Sequence, residues 1–361
     1  MKKLGFGFMR LPMLENGEVD VEHTQKMVDA FMDAGFSYFD TAHPYIGGRS
    51  EKVLKICLSD RYPRESFVLT NKLSSYTFEE EEQIRPLIEE ELSLCGVEYF
   101  DYLLMHAMNA SYYEKYTRTH AFEIAKEMKA EGKIKHIGIS FHDTPEVLEK
   151  ILSERPEVEV VQIQFNYLDV ENPNVQSQAC YEVCRKHDRQ VLIMEPVKGG
   201  ALSDLPAEAA QVLDDLKGGS HASYAIRYAA SREGVLMVLS GMSTLEQVQD
   251  NISYMSDFQP LTEEEEAAVA KVRQIIMDQK TIGCTACRYC MDVCPQQIPI
   301  PEVFEIYNRK QRFLDPGWRY KSVTKDRNKA SDCVGCGACE EACPQKLEIR
   351  ELLKKVAETF E

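Results

Sequence analysis

The chain has 361 residues, of which 44% are hydrophobic, and its formal net charge is −17. This length allows about two domains and a large core, and the negative charge excludes nucleic acid and anionic membrane surfaces as expected partners. No apolar run approaches the roughly 18 residues of a membrane span, and no signal peptide opens the chain. We therefore expect a cytoplasmic protein whose thiols stay reduced.

Short apolar segments alternate with amphipathic ones from the start of the chain to Leu239. Most of the apolar segments are rich in β-branched or aromatic residues, which favour strands. The predicted strands are Leu4–Phe8, Ser37–Phe39, Phe67–Thr70, Tyr102–Met105, His136–Ile139, Val160–Gln164, Val191–Met194 and Val235–Leu239.

Between these segments, apolar residues recur with the spacing of amphipathic helices. In Ile84–Cys95 they share one helical face, and Pro86 falls in the first turn, where its missing N–H does little harm. The tyrosine-rich segment Asn109–Thr119 is predicted as a loop that lines the substrate pocket, with its tyrosines serving either an aromatic or polar ligand or packing alone. The predicted helices are Val21–Ala34, Ile84–Cys95, Ala121–Glu131, Pro145–Ser153, Asn174–Lys186, Ser220–Ala230, Leu245–Tyr254, Thr262–Lys280 and Pro301–Lys310.

Eight strands alternating with helices indicate an α/β fold of the (β/α)8 or TIM barrel type. A doubly wound open sheet is the alternative. If such a sheet bound a dinucleotide, it would normally carry the pattern G-x-G-x-x-G after its first strand, and this chain has none. We place the barrel at residues 1–278, followed by a second, smaller domain at residues 279–361.

Two cysteine runs lie in the second domain, CTACRYCMDVCP from Cys284 and CVGCGACEEACP from Cys333. Each has the spacing C-x2-C-x2-C-x3-C-P, in which three thiolates hold one iron–sulfur cluster and the fourth holds the other. Zinc or disulfides are the alternatives, but zinc sites use four ligands in two pairs. We predict one [4Fe–4S] cluster on Cys284, Cys287, Cys290 and Cys343, and a second on Cys333, Cys336, Cys339 and Cys294.

Ionisable residues follow three of the predicted strands, at the end of a barrel where active sites are built. Asp40 ends the second strand, Lys72 follows the third and His106 follows the fourth, while Tyr45 lies in the loop after Asp40. A single Asp, Lys or His in such a place is usually a surface or capping residue. Four such groups at one rim favour an active site.

These four groups suit proton transfer to a carbonyl oxygen while a hydride arrives at the carbon. A buried ammonium at Lys72 would favour the phenolate of Tyr45 and so lower its pKa. Asp40 would keep Lys72 charged and in place. His106 would orient the substrate oxygen or assist the proton.

The chain resembles the aldo/keto reductase family. The motifs that carry the resemblance are DTAHPY with Glu51 six residues after Tyr45, TNKL, LLMH and GKIKHIGIS, in this order. The resemblance covers roughly residues 1–255 and implies a (β/α)8 barrel that reduces aldehydes or ketones with NADP(H) or NAD(H). It also implies that the family's catalytic tetrad is Asp40, Tyr45, Lys72 and His106, with Tyr45 as the proton donor.

The family's cofactor contacts carry over in part. Phe141 replaces the usual Asn after the family's serine, and the basic residue for the 2′-phosphate is absent near Met242 and Ser243. Lys198, in the motif VKGG, could reach this phosphate instead, but we expect it to be an exposed loop lysine. The positions that match the family's cofactor-binding residues are Ser140 and Gln162 for the nicotinamide carboxamide, Met194 in place of the stacking aromatic residue, and Asn251 for adenine.

The cysteine-rich part resembles the ferredoxin-type domain of one branch of this family, and we expect it to be mainly helical. Nicotinamide moves two electrons as hydride, whereas a cluster passes one at a time, and no flavin-binding pattern joins the two. Three hypotheses follow. The chain is a hydride reductase whose clusters serve a redox protein partner or brace the fold, an electron-transfer protein with a barrel scaffold, or a reductase fed by its clusters.

Overall fold

A computed structural model describes residues 1–172, 175–279, 282–284, 286–312 and 318–361 of the chain. The chain divides into two compact units by its internal contacts. The barrel unit comprises Met1–Leu205 with Leu213–Ala270, and the cysteine unit comprises Pro206–Val212 with Lys271–Glu361. The domain boundary after residue 278 stays a prediction.

Across the described residues, eight parallel strands close into a barrel in chain order, with the last strand paired to the first. This closure excludes the open sheet and confirms the predicted fold class. Most of the predicted strands lie within one or two residues of the observed ones. The strands are β1 (Leu4–Gly7), β2 (Tyr38–Asp40), β3 (Val68–Ser74), β4 (Phe100–Met108), β5 (Ile134–Phe141), β6 (Val160–Gln164), β7 (Gln190–Met194) and β8 (Val235–Ser240).

The third strand is longer than predicted, because its polar end continues the sheet. Lys72 and Ser74 pair in register with Leu104 and His106 of β4. The polar residues that indicated a strand end are instead buried strand residues, and Lys72 is 0% exposed. This extension places two polar side chains, two residues apart, on the same face of one strand.

Helices follow the strands as the amphipathic pattern predicts. Asn174, which begins one of the predicted helices, and Lys280, which ends another, lie outside the described residues. The helices up to residue 277 are α1 (Val21–Asp33), α2 (Ser50–Leu54), α3 (Ile84–Cys95), α4 (Ala110–Arg118), α5 (Ala121–Ala130), α6 (Pro145–Glu154), α7 (Ser177–Lys186), α8 (Ala207–Asp214), α9 (His221–Ala230), α10 (Leu245–Met255) and α11 (Glu263–Met277).

Helix α4 corrects the prediction of a loop at Asn109–Thr119. The Asn109 side chain accepts a hydrogen bond from the backbone N–H of Tyr112 at 2.8 Å, which caps the helix. Tyr113 and Tyr116 are 6% and 0% exposed. These two tyrosines therefore contribute to packing.

The barrel interior is filled by apolar side chains, and a larger apolar layer lies between the strands and the surrounding helices. Such interior layers make the barrel a packed core with no pore. Polar side chains replace the apolar ones towards the carboxyl ends of the strands. The apolar interior residues are Tyr38, Leu104, Val160, Leu192, Met237 and Leu239.

Gly138 on β5 lies where this interior leaves no room for a side chain. An added Cβ would lie 2.5 Å from the backbone oxygen of Val160 and 2.6 Å from Leu104 Cδ2. We expect Gly138→Ala to lower the free energy of unfolding by about 1–3 kcal/mol, because the strand backbone must shift to make room for the methyl group. Gly7→Ala is the matched control, because its nearest neighbour would lie 3.5 Å away. Equal melting temperatures of the two variants would contradict this packing argument.

The cysteine unit is mainly helical, as predicted. Its small apolar core contains Ile298, Ile300, Val303, Phe304 and Leu353 together with three of the cysteines, Cys290, Cys339 and Cys343. The loops between its helices carry the remaining cysteines. The helices of this unit beyond residue 277 are α12 (Tyr289–Asp292), α13 (Ile300–Gln311), α14 (Trp318–Val323), α15 (Ala338–Glu341) and α16 (Ile349–Phe360).

Candidate active site

A buried ion pair lies at the carboxyl ends of β2 and β3. Lys72 Nζ donates to Asp40 Oδ1 at 2.6 Å and to the backbone oxygen of Thr41 at 2.7 Å. Gln162 Nε2 donates to the other carboxylate oxygen, Asp40 Oδ2, at 3.1 Å. Because both charges are buried and hydrogen-bonded, the ammonium of Lys72 is held in one position.

The charges around Lys72 keep it protonated. Burial alone would lower its pKa, but the negative charge of Asp40 and the neighbouring phenol of Tyr45 outweigh this effect and raise the pKa above its ordinary value. A fixed, buried ammonium favours any negative charge that develops beside it.

Tyr45 lies in the loop after β2, next to this ammonium. Lys72 Nζ is 4.7 Å from the centroid of the Tyr45 ring, and the Tyr45 and His106 rings are 5.9 Å apart between centroids. Burial raises the pKa of the Tyr45 phenol above its ordinary value, although the charge of Lys72 lowers it in part. We predicted that Lys72 lowers the pKa of Tyr45 below its ordinary value. That prediction is wrong, because burial raises this pKa by more than the ammonium lowers it.

His106, near the end of β4, completes the group as a neutral imidazole. Burial and the nearby charge of Lys72 lower the pKa of His106 to about 3. Ser74 Oγ lies 2.6 Å from His106 Nδ1. Ser74 was not among the predicted site residues. The sequence did contain a signal for it, because residues two apart on one strand, such as Lys72 and Ser74, lie on the same face.

The structure brings the four predicted catalytic residues together, and it places two of the predicted cofactor residues beside them. Ser140 and Gln162 pair in register on β5 and β6 and are 1% and 2% exposed. Met194 is half-buried at the end of β7. Gln162 has a further role that the sequence did not indicate, because its amide also holds Asp40.

A cavity of about 480 Å³ lies beyond the ends of β7 and β8. Asn251 lines it from α10, donating to Ser240 Oγ at 2.8 Å and accepting from the hydroxyl of Tyr254. This volume is in the range of small-molecule and cofactor sites. The other lining residues include Arg10, Glu195, Gly199, Gly200, Gly241, Ser243, Glu246 and Asp250.

Lys198 lies in the loop after β7 and is not the exposed lysine that we predicted. Its ammonium contacts both carboxylate oxygens of the buried Asp169, at 2.6 Å and 2.7 Å. The Lys198 side chain is only 15% exposed. The ion pair ties the loop after β7 to the loop after β6, so Lys198 has a structural partner.

The sequence profile of the aldo/keto reductase family matches residues 3–274. The chain belongs to the aldo/keto reductase family. It is therefore an NAD(P)H-dependent oxidoreductase, and its barrel has the predicted (β/α)8 form.

This aldo/keto reductase is similar to several individual proteins at low sequence identity. It is 22% identical over 298 residues to YqkF, an uncharacterized oxidoreductase of Bacillus subtilis, over 73% of this chain and 90% of that protein. It is 24% identical over 301 residues to L-galactose dehydrogenase of Arabidopsis thaliana, over 78% of this chain and 88% of that protein. An aldo/keto reductase of Klebsiella pneumoniae, solved with NADP and acetate, superposes with a TM-score of 0.62 at 19% identity, covering 75% of this chain and 91% of its own. That structure shares the fold.

The cysteine unit matches a second profile, that of a 4Fe-4S dicluster domain, at residues 283–347. In the described part of this unit, two small cavities are each lined by four cysteines. One is lined by Cys284, Cys287, Cys290 and Cys343, and the other by Cys294, Cys333, Cys336 and Cys339. Each cavity thus takes three cysteines from one run and the fourth from the other, which is the arrangement that the spacing predicts. The donor set fits two iron–sulfur clusters.

Paired substitutions test this crossed arrangement. We expect Cys294→Ala with Cys333→Ala to remove about half of the iron and acid-labile sulfide, because both residues line one cavity. The combination Cys294→Ala with Cys284→Ala should remove nearly all of it, because each cavity then loses a ligand. Iron and sulfide analysis of anaerobically purified protein checks this. The reverse ranking would indicate that each run holds its own cluster.

Among the residues that the structure describes, no helix combines the length and the apolar character needed to cross a membrane.

Proposed function

We propose that this protein reduces an aldehyde or ketone with NADPH or NADH, and that Tyr45 donates the proton to the carbonyl oxygen. The observation that carries the proposal is the contact set of Lys72, whose ammonium is fixed by Asp40 and faces the Tyr45 ring. The family match supports the reaction class.

The role of Lys72 is electrostatic. As the phenol gives up its proton, negative charge develops on the Tyr45 oxygen in a site that excludes much of the solvent. The ammonium of Lys72 stabilises that charge. It need not move to do so, because Asp40 and Thr41 already hold it in place and Gln162 holds Asp40. The raised pKa of Tyr45 keeps the phenol protonated before the reaction.

His106 orients the substrate. When Ser74 donates to His106 Nδ1, the imidazole carries its proton on Nε2, which then donates to the carbonyl oxygen. Because burial keeps the imidazole neutral, this hydrogen bond polarises the carbonyl without bringing in a second positive charge. Tyr45 and His106 therefore approach the same oxygen from neighbouring sides.

The nicotinamide cofactor, when bound, supplies the hydride. Ser140 and Gln162 are the side chains that we assign to its carboxamide, with Met194 beside the ring. Asn251 and the cavity beyond β7 and β8 would take the rest of the nucleotide. The backbone N–H groups at the start of α10 suit phosphate oxygens.

The pKa of His106 gives this reaction a characteristic pH profile. We expect kcat/KM for reduction to be constant between about pH 5 and pH 8, because the imidazole is neutral throughout. The rate should fall only as the pH rises through the pKa of Tyr45, since reduction needs the protonated phenol. A steady-state profile checks this. A rate change near neutral pH that disappears in His106→Asn would contradict it.

We further propose that the two clusters serve electron transfer with a redox protein partner, or brace the fold, in a cytoplasmic protein. In a second candidate function, the clusters feed the barrel with single electrons. The acidic chain makes nucleic acid an unsuitable partner.

Steady-state kinetics separates these functions. Protein with intact clusters is assayed anaerobically with NADPH or NADH against methylglyoxal, glyceraldehyde and benzaldehyde. The proposal expects turnover without any added one-electron donor. Turnover that appears only with reduced ferredoxin or dithionite would favour the cluster-fed reductase. No turnover of any carbonyl under either condition would favour an electron-transfer protein.

A further inference from the structure

Three side chains converge beside the loop that carries Tyr45, outside the catalytic group. They are His43 in the loop after β2, Glu51 on α2 and Glu91 on α3. One nitrogen and two carboxylate oxygens from these residues lie within 4.8 Å of one another. We propose that they bind one divalent cation of the Mn²⁺, Fe²⁺ or Zn²⁺ type.

Glu91 carries the argument. It is 0% exposed, and neither of its carboxylate oxygens has a hydrogen-bond partner in the described part of the chain. Buried carboxylates are normally ion-paired, fully hydrogen-bonded or bound to a metal, because an unpaired one loses its hydration without compensation. A carboxylate oxygen of Glu91 lies close to Glu51 and His43, so the three side chains can share one cation.

Glu51 makes the local charge more negative. It is also 0% exposed, and its oxygens contact Asn71 Nδ2 at 2.7 Å and His43 Nδ1 at 2.8 Å. In the described residues, the only charged group paired with Glu51 is His43. When both buried carboxylates are ionised, their charge exceeds what one imidazole can balance, and a divalent cation would neutralise it.

The donor set indicates the class of cation. Carboxylate oxygen with imidazole nitrogen suits Zn²⁺, Fe²⁺ and Mn²⁺, whereas Ca²⁺ takes six to eight oxygen ligands. Water can complete the shell, because the His43 side chain is 26% exposed and opens the site to solvent. The residues come from the loop after β2 and from helices α2 and α3, so the cation would tie the loop of Tyr45 to both helices.

Metal binding by matched variants tests the proposal. Glu91→Gln removes the unpartnered carboxylate with little change of shape, and Glu90→Gln, at an exposed position of the same helix, is the control. The whole protein, with its clusters, is titrated anaerobically with MnCl₂, and free Mn²⁺ is measured by electron paramagnetic resonance. A parallel dialysis against Zn²⁺ is followed by elemental analysis. Zinc bound to thiols is the same in both variants, so their difference reports this site.

We expect the wild type and Glu90→Gln to bind one more cation per chain than Glu91→Gln, and to melt at a higher temperature when it is bound. His43→Ala removes the partly exposed ligand and should lose the same cation, so it decides the matter if Glu91→Gln fails to fold. Equal binding of both metals by all four proteins would overturn the proposal. Glu91 would then be a protonated, uncharged carboxyl, in line with the raised pKa that its burial causes.

Discussion

Tyr45→Phe is expected to lower kcat for carbonyl reduction by about 10²- to 10⁴-fold, because a positioned general acid contributes a factor of this size. The substitution removes only the phenolic oxygen, so the ring stays packed beside His106 and Lys72. Nicotinamide binding, measured by fluorescence titration, should change little. Steady-state kinetics with the same carbonyl probes checks the effect on kcat.

Tyr76→Phe is the matched control for Tyr45→Phe. Tyr76 follows β3 and is 54% exposed, and Tyr76→Phe removes a hydroxyl that contacts Ser74 but neither Asp40 nor Lys72. We expect its kcat to stay close to that of the wild type. Wild-type kcat in Tyr45→Phe, or equal losses in both variants, would contradict the assignment of Tyr45 as the proton donor.

Lys72→Met is expected to lower both activity and stability. The substitution leaves the carboxylate of Asp40 buried without its cation, and removing one partner of a buried ion pair costs about 3–5 kcal/mol. Loss of the ammonium also removes the positive charge that stabilises a developing phenolate at Tyr45. Calorimetry and kcat measurements on the same preparation check the two effects.

The double variant with Asp40→Asn and Lys72→Met separates stability from catalysis. Asp40→Asn replaces the buried carboxylate by an uncharged amide, so the melting temperature should recover much of the loss seen in Lys72→Met alone. The kcat should not recover, because the ammonium is still missing. Recovery of kcat in the double variant would show that Lys72 acts through stability and has no electrostatic role in the reaction.

The barrel could be predicted from the sequence because short apolar strands and amphipathic helices differ in period. The errors arose where polar residues continue a strand or start a helix. Lys72 indicated the end of β3, but ladder pairing with β4 and burial of its ion pair keep it in the sheet, which continues to Ser74. Tyrosines in Asn109–Thr119 indicated a loop, whereas the Asn109 cap starts a helix.

The sequence predicted which residues form the candidate site. It predicted their pKa shifts only in part. The sequence placed an ammonium beside a phenol, yet the extent of burial that raises the pKa of Tyr45 depends on packing from several strands. The contact of Gln162 with Asp40 joins residues 122 positions apart, which local patterns do not encode. The cysteine spacing was more informative, because cluster ligation is largely encoded in the intervals.

The burial of Glu91 can be predicted from the helical periodicity of α3 alone. Ile88, Glu91, Leu92 and Cys95 share the buried face of α3, so a carboxylate occupies a position where an apolar residue is expected. The buried position does not show which side chains lie next to the Glu91 carboxylate. Only the fold brings Glu51 and His43 to the same place.

The central claim is that hydride passes directly from nicotinamide to the carbonyl carbon while Tyr45 protonates the oxygen. Isotope tracing tests it most directly. NADPH or NADH carrying deuterium at the transferable C4 position is oxidised anaerobically with methylglyoxal by the protein with intact clusters. The account predicts deuterium on the new carbinol carbon, with one transferred for each cofactor oxidised. A carbinol hydrogen drawn from solvent would contradict it, because the electrons would then have travelled separately from the hydrogen nucleus.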